Sequence, residues 1–118
     1  MKNYILPTLT TSLLFLSACT STIPVAVIGQ DGRILSGTNT YSMMEGTFSV
    51  TDGELTCTGT YDPLQQSQTI SMPVICNDGR KGIVRAVRDT ATSGSGTFRL
   101  NDGYGGDFVF GRAAQNFQ

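Results

Sequence analysis

Gly46-Thr47-Phe48-Ser49-Val50-Thr51-Asp52-Gly53-Glu54-Leu55-Thr56-Cys57-Thr58 is an alternation of apolar and polar residues broken once, at Asp52-Gly53. Alternation with period two marks a strand with one buried face, and Asp-Gly tolerates the positive φ angles of a tight hairpin turn. Taking Asp52-Gly53 as a two-residue turn sets Thr51 opposite Glu54, Val50 opposite Leu55 and Phe48 opposite Cys57. Phe48, Val50, Leu55 and Cys57 then share one face, and Thr47, Ser49, Thr56 and Thr58 share the other. A slip of one residue would turn the apolar set to water, so pattern and turn support each other.

The same punctuation recurs at Asp31-Gly32, Asp78-Gly79 and Asp102-Gly103, at intervals of 21 to 26 residues along the chain. Each interval holds about two strands and a connection. Gly96-Thr97-Phe98-Arg99-Leu100-Asn101-Asp102-Gly103 repeats the pattern of Gly46 to Gly53. A strict two-residue turn there would set Phe98 against Asp107, so a bulge at Gly105-Gly106 is expected, bringing Phe98 opposite Phe108. No stretch beyond the first nineteen residues has helical periodicity. Strands are expected over 25–29, 33–42, 45–51, 54–61, 69–76, 80–88, 95–101 and 104–111. The fold class is all-β: a small antiparallel meander of about eight strands, closing into a barrel or folding as a two-layer sandwich. The register of 80–88 stays open, because Ile83 and Val87 alternate with Val84 and Ala86. Asp62 to Gln68 reads as the longest polar connection, Thr90 to Ser95 as a short flexible loop, and Arg112 to Gln118 as a loose tail.

The amino-terminal segment follows a different grammar. Met1-Lys2 is a short basic start, and Ile5 to Leu16 is an apolar run interrupted by Pro7 and several hydroxyl residues. It is too short to cross a hydrocarbon core of about 30 Å and fits the apolar region of an export signal. It ends in Leu16-Ser17-Ala18-Cys19, which resembles the lipobox of bacterial lipoproteins at every position. That resemblance implies cleavage before Cys19, a diacylglycerol thioether on its sulfur and a further acyl chain on the new amino terminus. Several acyl chains anchor stably where one does not. Thr20, in place of the Asp that often retains such proteins at the inner membrane, favours the outer membrane, facing the periplasm. The chain then divides into a signal peptide (1–18), a lipidated tether (19–24), a β domain (25–111) and a tail (112–118). With Cys19 given to lipid, Cys57 and Cys76 remain as a disulfide pair in an oxidising compartment, or as two free buried thiols.

Against this frame, the chemistry is sparse. The chain has 118 residues, 8 basic and 9 acidic side chains, and no His. Near-neutral charge argues against nucleic-acid binding, and the lack of His removes the usual catalytic base and a common metal ligand. Glu45 and Glu54 lie too far apart along one hairpin for paired-carboxylate glycosidase chemistry. No calcium-loop series or phosphate cradle is present, so neither a metal nor a cofactor is expected. The residual feature is Arg80, Lys81, Arg85, Arg88 and Arg99, a basic cluster for an anionic envelope component or an acidic protein, or else charges that blunt an edge strand. The chain resembles small proteobacterial lipoproteins, which implies a non-enzymatic, membrane-anchored binding or structural module. Two alternatives stand beside it. One is a subunit of a larger envelope or secretion assembly. The other is a lysozyme-inhibitor-like lipoprotein, whose Ser-Gly-x-x-Tyr loop is only approximated by Ser36 to Tyr41 and by Ser95 to Phe98.

Overall fold

The computed structural model describes residues 20–65 and 67–118. The signal peptide and Cys19 lie outside the described residues. Eight antiparallel strands in chain order form one closed barrel: β1 (Ser21–Gly29), β2 (Ile34–Tyr41), β3 (Gly46–Thr51), β4 (Thr56–Tyr61), β5 (Thr69–Cys76), β6 (Lys81–Thr90), β7 (Ser93–Leu100) and β8 (Gly105–Phe110). β8 returns to pair with β1, from Val25↔Phe110 to Gly29↔Gly106. Of the two expected architectures the chain adopts the barrel, which leaves strand edges free where β4 and β5 part.

Every second residue points inward, and small residues at inward positions let the sheet bend enough to close. A Cβ added at Gly37 would overlap the Ser49 carbonyl of β3, and one at Gly96 would overlap the Arg85 carbonyl of β6. These glycines mark corners where neighbouring backbones approach closely. Larger inward residues fill the space between them, with Phe48, Phe98, Leu35, Val50, Val74 and Val84 almost fully buried.

All four Asp-Gly loops join an odd strand to the following even one, so all four lie at one end of the barrel. Three are built alike. In Gln30-Asp31-Gly32, Asn77-Asp78-Gly79 and Asn101-Asp102-Gly103 the Gly has φ between 86° and 93°. Each Asp accepts a hydrogen bond through Oδ1 from the backbone N–H two residues on. This is the side-chain turn for which Asp is suited.

Two registers differ from expectation. At the second turn Val50 faces Cys57 and Phe48 faces Gly59, a shift of two residues. Asp52 pairs with Leu55 through its backbone N–H and accepts from the Glu54 and Leu55 N–H groups through Oδ1, so Gly53-Glu54 spans the turn instead. A two-residue shift preserves faces, and Phe48, Val50, Leu55 and Cys57 are all buried. The bulge at Gly105-Gly106 is absent. Three residues make the fourth loop, Phe98 faces Gly106 and Gly96 faces Phe108, so each ring lies over a glycine rather than over the other ring. β6 presents Val84 and Ala86 inward and Ile83 and Val87 outward, which fixes the register left open by the sequence.

Both ends of the domain are more ordered than expected. Ser21 to Pro24, read as tether, pair with β2 from Ser21↔Tyr41 to Pro24↔Thr38. Pro24 lies just beyond the last β1–β8 pair, where a missing N–H costs least. Gly111–Phe117 is a 3-10 helix instead of a loose tail. It packs on the outer face of β1, where Ala26 and Ala114 are both fully buried, and Gln118 Nε2 donates to the Val25 carbonyl at 3.1 Å.

Candidate functional site

The two ends of the barrel differ in how they are closed. At the Asp-Gly end Leu35, Leu55 and Leu100 fill the interior. Over them lies a polar lattice. Arg33 Nε contacts Asp52 Oδ2 at 2.7 Å, and Arg80 bridges Asp78 at 2.8 Å and Asp102 at 3.0 Å. The Arg80 guanidinium stands 5.5 Å from the Tyr104 ring centre, and the Tyr104 hydroxyl donates to Asp31 Oδ1 at 2.9 Å.

The opposite end opens into a cavity of about 230 Å³. The Phe48 and Phe108 rings meet edge to face at its floor, 5.3 Å between centres. Ile23, Ile70, Met72, Ala86 and Phe110 form its apolar walls. The space exists for two reasons. Inward positions of β6 and β7 at this height are Ala86, Gly94 and Gly96, which give little volume. In addition, β4 and β5 pair only through Cys57↔Cys76, Thr58↔Ile75 and Gly59↔Val74, and separate toward the mouth. Pro73, without an N–H to offer β4, stands where that ladder stops. Cys57 and Cys76 form a disulfide across the paired part of this seam. The Asn77 side chain clamps its lower end, accepting from Thr56 N–H and donating to the Glu54 carbonyl.

Four polar side chains reach this otherwise apolar space: Asn39, Tyr41, Tyr61 and Arg88. Asn39 is the one buried polar side chain among the described residues, 8% exposed. Its Nδ2 donates to the Tyr61 hydroxyl at 2.6 Å, while its Oδ1 has no hydrogen-bond partner. An unmatched buried acceptor costs about 1–3 kcal/mol. Burial raises the Tyr61 pKa, opposed by the Asn39 hydrogen bond and the Arg88 charge, so the hydroxyl stays protonated near neutral pH. Arg88 Nη1 donates to the Gln65 carbonyl at 3.1 Å, and no carboxylate lies within ion-pair distance of it among the described residues.

The predicted basic cluster divides among three places. Arg80 belongs to the lattice at the closed end, and Arg88 enters the mouth cavity. Lys81, Arg85 and Arg99 project from the outer face of β6 and β7, beside exposed Ile75, Ile83 and Val87. Glu45 precedes β3 at the mouth, and Glu54 lies in the turn at the other end. Ser36 to Tyr41 and Ser95 to Phe98 lie within β2 and β7, not in loops, and Phe98 is buried.

Asn39 and Tyr61 escaped the sequence reading, although a signal was present. Leu35, Gly37, Asn39 and Tyr41 share one face of an alternating strand, so Asn39 is a polar residue in a core row. Arg88 follows Val84 and Ala86 in the same way once the β6 register is fixed.

No protein-family model matches this chain, and no curated protein matches it. Among solved structures it is similar to a redesigned beta barrel, b11L5F_LGL, with a TM-score of 0.62 and 14% identity over 78% of this chain and 89% of that one. It is also similar to the redesigned beta barrel mFAP1, solved bound to DFHBI, with a TM-score of 0.60 and 17% identity over 78% of this chain and 93% of that one. The likeness is one of fold: a small closed antiparallel barrel.

Proposed function

We propose that this chain is a lipid-anchored envelope lipoprotein whose barrel holds one small, mainly apolar ligand in its mouth, without acting on it chemically. The observation that carries the binding role is the open apolar cavity with an unmatched Asn39 amide inside it. A concave apolar site with a few convergent polar groups is the usual form of a small-molecule site. The volume exceeds the ~150 Å³ of a cavity that accepts benzene, which suits a ligand of about ten heavy atoms. A redesigned barrel of similar fold has been solved with a small molecule, DFHBI, bound, which agrees with this reading.

The anchor rests on Leu16-Ser17-Ala18-Cys19, and the geometry is consistent with it. β1 starts at Ser21, at the mouth end, so an acylated Cys19 would leave the mouth next to the bilayer. Exposed Met43, Met44 and Leu64 stand on loops at that same end, where an apolar rim would suit a lipid surface.

Two measurements test the proposal. Metabolic labelling with an alkyne fatty acid should mark the wild-type protein and not the Cys19→Ala variant; an unlabelled, soluble wild type would remove the anchor. Titration with β-naphthol, a neutral fluorescent probe of suitable size, should show saturable binding that Ala86→Leu weakens at least tenfold by filling the cavity. Binding unchanged by Ala86→Leu would place the ligand elsewhere.

A further inference from the structure

Resting on the binding role proposed above, we infer that the ligand is a small amphiphilic carboxylate carrying a hydrogen-bond donor, a hydroxyl or amide N–H, close to the carboxylate. Each part of that description answers a feature of the mouth. The apolar walls of Ile70, Met72 and Phe110, above the Phe48 and Phe108 rings, take an aliphatic or aromatic body. Arg88 asks for an anion. A guanidinium carries five N–H donors in a planar fork that suits a carboxylate, and here one of its nitrogens is engaged by the Gln65 carbonyl. The tyrosine hydroxyl asks for an acceptor, since its oxygen already receives the Asn39 N–H and its own proton is left to donate. A carboxylate supplies that acceptor as well.

Asn39 Oδ1 then adds a condition that a plain fatty acid does not meet. It is an acceptor, it is buried, and nothing in the protein donates to it. An ionised carboxylate offers no proton, so a second group on the ligand must supply one. Sites that leave a buried polar group unmatched until the right ligand arrives discriminate strongly against analogues lacking the matching group. The inference is therefore about selectivity as well as class: donor-bearing acids over plain acids, and acids over neutral alcohols of the same length.

The test uses the protein as isolated from cells, in nanodiscs when acylated, with protein-free nanodiscs as the reference for partitioning. β-Hydroxyoctanoate, octanoate and octanol are titrated calorimetrically at neutral pH. The expected order is β-hydroxyoctanoate tightest, octanoate about tenfold weaker, and octanol weaker again. Arg88→Gln should weaken both acids at least tenfold and leave octanol unchanged, while Arg88→Lys, which keeps the charge, should preserve the order. Asn39→Leu should abolish the difference between the two acids. Octanol binding as tightly as the acids, or acid binding indifferent to Arg88→Gln in a variant that still melts cooperatively, would overturn the inference and leave the cavity's binding role standing. Failure of all three probes together with β-naphthol would remove that binding role and this inference with it.

Discussion

The two ends of the barrel are closed by different physics. At the Asp-Gly end, each aspartate satisfies its own loop, the arginines bridge loops, and leucines fill the space beneath. At the mouth, two strands part, small residues leave a cavity, and a buried amide has an oxygen with nothing to bond. The closed end has the features of a part that holds the fold together. The open end carries unmet interactions that cost stability and that a ligand could meet. Stability and recognition are thus separated along the barrel axis, with the β4–β5 seam running between them.

The strongest way to break that separation is to cut the seam. The Cys57–Cys76 disulfide spans 19 residues of sequence, and a loop of that size corresponds to about 3 kcal/mol on the chain-entropy account. Replacing both cysteines with Ala should lower Tm by about 15 °C for a domain of this size, read by circular dichroism. Amide exchange should rise first in β4, β5 and the mouth. Exchange rising equally at the Asp-Gly loops would show that the two ends are not separable.

A mirrored pair of substitutions sharpens the contrast. Asn39→Leu removes an unmatched buried acceptor and adds apolar surface to the cavity wall. Tyr61, partly buried at the mouth, loses its partner but can turn to water. The variant should be about 1 kcal/mol more stable, with the hydroxy-acid preference lost. Asp102→Ala at the closed end does the reverse. It removes an acceptor of the Tyr104 N–H and an Arg80 partner, and should lower the denaturant midpoint with ligand affinity unchanged. Denaturant midpoints measured side by side decide both. If Asn39→Leu destabilises as much as Asp102→Ala, the mouth amide is a structural group and the contrast fails.

How far the sequence made this legible follows the same division. The closed end is coded locally: Asp-Gly fixes each turn, and strand alternation gave the faces of β3 and β4 correctly even with the register two residues off. Local patterns identify a face better than they count the residues in a loop, so the bulge expected at Gly105-Gly106 gave way to a longer turn. The open end depends on residues far apart in the chain. Nothing local says that Gly96 lies under Phe108, that Pro73 ends a ladder, or that Ile23, Asn39, Tyr61 and Arg88 meet. Only the core-row position of Asn39 was open to inspection. The basic cluster divides for a related reason, since closeness in sequence says nothing about which face or end each cation occupies.

Acid offers the gentlest test, and its sign follows from the closed end. Asp31, Asp52, Asp78 and Asp102 all titrate below the ordinary carboxylate range. The largest cause in each is a backbone N–H bonded to the carboxylate, from Arg33, Leu55, Arg80 and Tyr104 respectively. A carboxyl whose folded pKa is depressed contributes stability that is complete above its unfolded value, near 3.9, and disappears as pH falls toward the folded one. Tm should therefore be level from about pH 8 to pH 5 and decline below about pH 4. The decline should be modest because these groups are exposed to water, and replacing all four with Asn should flatten it. Amide chemical shifts followed during the titration locate the event. Movement should begin at Gly32, Gly79 and Gly103, whose loops those carboxylates hold, while Asn39 and Tyr61 keep their positions. Earlier movement at the mouth would mean that the open end, rather than the carboxylate lattice, limits the stability of the barrel in acid.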